Sequence, residues 1–62
     1  MIISKKATMA LVNICIGNAH LVTRQMMDRL NADKLVDFEP WNGGWNLTEL
    51  GYDVMLQATD TN

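Results

Sequence analysis

The chain has 62 residues, 48% of them hydrophobic, with seven acidic and five basic side chains and a net charge of −2. That is one domain, and one this short buries only about 60% of the surface its unfolded form exposes. A single cysteine, Cys15, excludes an intrachain disulfide, and with His20 as the one histidine a zinc site of four Cys and His ligands is excluded too.

No run approaches the roughly 20 apolar residues that cross a bilayer. Lys5 and Lys6 follow Ile2 and Ile3, the reverse of a signal peptide. With a free cysteine, these features lead us to expect a cytoplasmic protein with no membrane partner. Five methionines and no covalent staple suggest a core completed by self-association, so a homodimer is the expected assembly. Charge is unevenly spread. Residues 1–32 carry Lys5, Lys6, Arg24 and Arg29 against Asp28, a balance of +3. Residues 33–62 carry Lys34 against Asp33, Asp37, Glu39, Glu49, Asp53 and Asp60, a balance of −5. Any contact with nucleic acid is therefore expected to come from the N-terminal half.

Residues 1–4 (MIIS) favour β structure and are expected to add a short outer strand to a hairpin further on. Residues 5–16 read as a helix with Ser4 as N-cap. Its apolar residues cover almost every side, so it must be covered on more than one face, and Cys15 reads as a small core hydrophobe there. Gly17 suits the position just past a helix C-terminus, and Asn18 suits the N-cap of a second helix over 19–32. Two helices joined by such a tight turn make a helix-turn-helix unit. Val22, Met26 and Leu30 form the inward stripe of that second helix, with Met27 and Ala19 beside it. His20, Leu21, Arg24, Gln25 and Asp28 project outward.

Residues 35–47 read as a hairpin. Its turn spans Pro40 to Gly44, and Asn42-Gly43-Gly44 supplies the positive-φ positions. Val36 and Phe38 share one face and Asp37 and Glu39 the other. Trp41 and Trp45 flank the turn and can face each other, with Trp45 in step with Leu47. Thr48 then caps a last helix over 49–58, with Leu50, Val54 and Met55 inward and a frayed polar tail over 59–62.

The stretches VTRQMMDRLNADKLVD and WNLTELGYDVML resemble the winged-helix domains of MarR-type bacterial regulators. The resemblance covers about residues 7–58. It implies a mostly α fold with a small β-hairpin wing, a winged helix-turn-helix whose second helix is the recognition helix. Two departures accompany it. The usual first helix is lacking, since six residues precede the matched stretch. The wing carries Asp37, Glu39, Trp41 and Trp45 and no basic residue, where wings that bind DNA usually carry Arg or Lys.

On this reading Arg24 can pair bidentately with a guanine and Gln25 with an adenine, while Leu21 can touch a thymine methyl. Asn18 and the helix N-terminus can hold a phosphate, as can His20, Arg29, Lys5 and Lys6. The function expected is therefore a small dimeric DNA-binding transcriptional regulator acting on double-stranded DNA. The alternative is a phage- or plasmid-borne inhibitor of a host protein, in which Asp37, Glu39 and Trp41 of the wing contact a basic partner. No nucleophile-and-base arrangement and no P-loop is recognisable, so neither catalysis nor a cofactor or metal is expected.

Overall fold

A computed structural model describes residues 2–60 of the chain, in which three helices surround one two-stranded hairpin. The first helix, α1, spans Lys5–Cys15. Its N-terminus is closed by Ser4, whose Oγ accepts the Ala7 N–H at 3.1 Å. Ala7, Ala10, Leu11 and Ile14 are buried, the i, i+3, i+4, i+7 pattern of one helix face. Cys15 falls a quarter-turn off that stripe and is exposed, which corrects its expected place in the core.

α1 ends as the sequence suggests. Gly17 takes φ +90°, its N–H donates to the Ile14 carbonyl at 3.2 Å, and the Asn18 N–H donates to the Asn13 carbonyl at 2.7 Å. This is a Schellman turn, which satisfies two of the carbonyls a helix end leaves open.

The chain does not run on as one helix over 19–32. Ala19–Leu21 form a single 3₁₀ turn, Val22 and Thr23 are extended, and α2 occupies Arg24–Ala32. Thr23 causes the break, because its hydroxyl accepts the Met26 N–H at 3.2 Å and so competes better as an N-cap than as a helical residue. Asn18, expected to cap this helix, makes no side-chain cap hydrogen bond. The buried residues of α2 are Met27 and Leu30, with Met26 only half-buried beside them.

Lys34 follows α2 at φ +61°, a left-handed conformation rare outside glycine. It is the pivot of a second Schellman turn, in which the Lys34 N–H donates to the Asn31 carbonyl and the Leu35 N–H to the Leu30 carbonyl, each at 3.0 Å. Leu30 and Leu35, the hydrophobic pair of that motif, are both fully buried.

The hairpin pairs β1 (Val36–Glu39) with β2 (Gly44–Leu47), antiparallel, with Val36 opposite Leu47 and Phe38 opposite Trp45. A 3₁₀ turn at Pro40–Asn42 joins them, and Gly43 and Gly44 take φ +83° and +103°. Among the described residues the sheet has only these two strands. Ile2 to Ser4 add no third, contrary to the strand expected at 1–4, of which Met1 lies outside the described residues. They share a cleft with Met26, Arg29, Leu30 and Asp33 instead, and Ile3 packs beside the core. The cap at Ser4 turns the chain into α1 before a strand can form.

α3 spans Glu49–Asp60, so Thr59 and Asp60 are helical rather than frayed, while residues 61 and 62 lie outside the described set. Thr48 anchors it three ways. Its Oγ1 accepts the Gly51 N–H at 3.0 Å and donates to the Lys34 carbonyl at 2.7 Å, and its N–H donates to the Leu35 carbonyl at 3.0 Å. A Cβ on Gly51 would overlap the Leu35 carbonyl oxygen and lie 2.9 Å from its carbon. This approach sets the rotation of the helix, so that Gly51, Val54 and Met55 face inward and Leu50 is exposed, not inward as its spacing suggested.

The core is one cluster, with Leu11, Leu30, Leu35 and Val36 at its centre and Val54 and Met55 closing it from α3. Gly51→Ala should destabilise the domain by roughly 3 kcal/mol, the upper end of the overpacking range. The clash outweighs alanine's helix preference of about 1 kcal/mol, and urea denaturation would read the difference. A variant as stable as the parent would mean that α3 can move off Leu35 without loss. Lys34→Gly should work in the opposite direction. Relief of the left-handed strain exceeds glycine's entropic cost, for a net gain of about 0.5–1 kcal/mol and a higher melting temperature.

Candidate nucleic-acid interface

Two helices build the site. α1 contributes Lys5 and Lys6 in its first turn, and α2 contributes Gln25 and Arg29, one turn apart on the same side of their helix. Leu21 joins them from the 3₁₀ turn. All five line one open groove of about 1000 Å³ between α1 and the start of α2. Among the described residues no acidic one lines it, so Lys5, Lys6 and Arg29 set its charge.

The groove is not simply polar. Met9 (53% exposed) and Leu21 (60% exposed) stand open to it, with Met26 and Val22 half-buried below. The sequence reading did not assign Met9, Asn13, Val22, Thr23 or Met26 to any site. The signal for Met9 was present in the helix with apolar residues on all sides. Only one face of α1 is taken up by the chain's own core, and Met9 lies on another.

The other expected DNA contacts stand apart from the groove. Arg24 is the first residue of α2 and is exposed, with Asp28 one turn along the same side. His20 is exposed in the 3₁₀ turn, and Asn18 is half-buried in the bend before it. The break at Val22–Thr23 therefore divides the expected outward face. His20 and Leu21 belong to the connection, while Arg24, Gln25 and Asp28 belong to the helix. The N-terminus of α2 lies at Thr23, five residues beyond Asn18, so Asn18 cannot share a phosphate with it through neighbouring N–H groups.

The hairpin forms a separate surface. Asp37 is exposed opposite Asn46, and Glu39 is half-buried opposite Gly44. Trp41 is 80% exposed in the connecting turn. It does not pair with Trp45. The ring of Trp45 meets Phe38 instead, edge to face at 5.2 Å between centroids. The register explains this, because Phe38 and Trp45 are direct cross-strand partners while Trp41 lies between the strands. Such an aromatic pair contributes about 0.5–1.5 kcal/mol. Asn46 holds the turn through its Nδ2, which donates to the Asn42 and Gly44 carbonyls at 2.9 and 3.3 Å.

No helix among the described residues is long and apolar enough to cross a membrane. No protein-family model, curated protein or solved structure matches the chain.

Proposed function

We propose that this chain is a small winged-helix protein that binds double-stranded DNA as a homodimer and acts as a cytoplasmic transcriptional regulator. In this reading it has the winged helix-turn-helix that MarR-type regulators carry, α2 is the recognition helix and the hairpin is the wing. One observation carries it. Lys5 and Lys6 from α1 converge with Gln25 and Arg29 from α2 on a single groove that no acid among the described residues lines. Cations fixed on two rigid helices can follow a phosphate backbone, and an exposed Arg24 at the start of α2 is suited to a base edge in the major groove. A second copy doubles a set of cations that is thin in one chain.

Binding to duplex DNA should weaken steeply as salt rises, since each neutralised phosphate releases counterions. Arg29→Ala should lower affinity equally on all sequences and reduce the salt slope by about one, the signature of a phosphate contact. Arg24→Ala should cost about 1–3 kcal/mol on a selected site and little on random duplex. Fluorescence anisotropy with labelled duplexes at two salt concentrations reads all three. Loss of affinity that ignores salt would remove the electrostatic basis of the proposal.

Trp41 favours a second reading. A tryptophan 80% exposed at a turn, with exposed Asp37 nearby in sequence and no basic residue from 35 to 47, suits a basic protein surface better than DNA. In that reading Asp37, Glu39 and Trp41 are the contact residues of an inhibitor of another protein. Trp41→Ala should then abolish capture of the partner while leaving the thermal stability near that of the parent. Unchanged capture would exclude the hairpin tip as the contact.

A further inference from the structure

The groove between α1 and α2 has an apolar floor and a cationic rim, and the same chain carries a face of matching chemistry. On α3, Gly51, Val54 and Met55 are spent on the core. On the opposite side Tyr52 and Leu56 lie one turn apart, 47% and 45% exposed, and helical spacing sets Glu49, Asp53 and Asp60 alongside them. α3 has no basic residue. An apolar pair bordered by carboxylates thus sits on one helix, and exposed Met9 and Leu21 bordered by Lys5, Lys6 and Arg29 sit in the groove.

We propose that, when no DNA is bound, the outward face of α3 from a second copy of this chain docks in this groove. Charge selects this pairing over the alternatives. Two α3 faces packed together would oppose Glu49, Asp53 and Asp60 with their own copies. Two grooves packed together would do the same with Lys5, Lys6 and Arg29. Of these three pairings, groove against α3 is the one that brings unlike charges together while covering both apolar strips. A chain cannot fill its own groove, because its α3 is pinned to Leu35 and packs on the buried side of α1. If each α3 docks in the other copy's groove, both contacts are made at once and the assembly closes at a dimer, whereas one-sided docking would continue into a chain of subunits.

Docking covers Lys5, Lys6, Gln25 and Arg29, so this groove-to-α3 dimer and DNA compete for one surface, and the two copies of the DNA-bound state meet on the duplex through other faces. The inference rests on the DNA-binding reading only for this regulatory consequence; the docking stands without it.

Sedimentation velocity on the full chain tests the contact. The parent should dimerise, less so as salt rises. Lys6→Glu with Arg29→Glu, and separately Glu49→Lys with Asp53→Lys, should each weaken self-association by at least about tenfold. An equimolar mixture of these two variants should restore a dimer, because each groove then meets an α3 of opposite charge. That restoration also shows that both variants are folded. A parent that stays monomeric at millimolar concentration and low salt, or a mixture that associates no better than its components, would overturn the proposal. Tyr52→Gln changes no charge, weakens docking, and should bind duplex DNA more tightly than the parent wherever the parent associates. If neither binds DNA, the regulator reading fails while the mixing result still decides the contact.

Discussion

Leu35 is where the domain is tied together. Its N–H closes the end of α2 on Leu30, its carbonyl accepts the Thr48 N–H, and its side chain is fully buried. Gly51 lies against its backbone so closely that no other residue fits without displacement. The exit of α2, the base of the hairpin and the entry of α3 therefore share one residue. Thr48 doubles the tie by bonding the Lys34 carbonyl with the same hydroxyl that caps α3. A domain this small has little buried area to spend, so fixing three elements at one point substitutes for the larger core it cannot build.

That arrangement also sorts the charge. The acidic half of the sequence becomes the hairpin and α3, both hung from Leu35. The basic half becomes α1 and α2, whose first turns border the groove. Because Gly51 sets the rotation of α3, its acidic side is turned away from the core. A rotation that buried Leu50 in place of Gly51 would have moved the carboxylates toward a neighbouring element. The separation of sign on the surface is thus a consequence of backbone packing as much as of composition.

Much of this architecture is legible in the residues. Gly17, Gly43 and Gly44 occupy the positive-φ positions their neighbours suggest, and Leu-Thr-x-x-Gly marks the cap and close approach that start α3. The departures from the sequence pattern have separate causes. Val22 fits the apolar period of α2, so periodicity carries the eye across a break that Thr23 makes by capping. Lys34 gives no turn signal, yet the Schellman geometry places it at φ +61°. Leu50 has the spacing of an inward residue, but the approach of Gly51 to Leu35 turns it outward, and Cys15 lies a quarter-turn off the buried stripe of α1. Of the expected DNA-contacting residues, Lys5, Lys6, Leu21, Gln25 and Arg29 gather in one groove. Asn18, His20 and Arg24 do not: Asn18 and His20 belong to the connection before the break, and Arg24 lies with Asp28 on another side of α2. The apolar floor of the groove was not foreseen, since Met9 and Met26 read equally well as core.

The two tryptophans end in unlike surroundings although only four positions separate them. Trp45 is partly buried against the core with its ring on Phe38, while Trp41 stands in water at the hairpin tip. The indole emission of the native protein is therefore a sum of a blue-shifted and a red-shifted component. The first changes only when the hairpin or core comes apart, and the second changes when something touches the tip. The chain carries its own pair of optical reporters, one for folding and one for contact, and no label is needed to tell the two events apart.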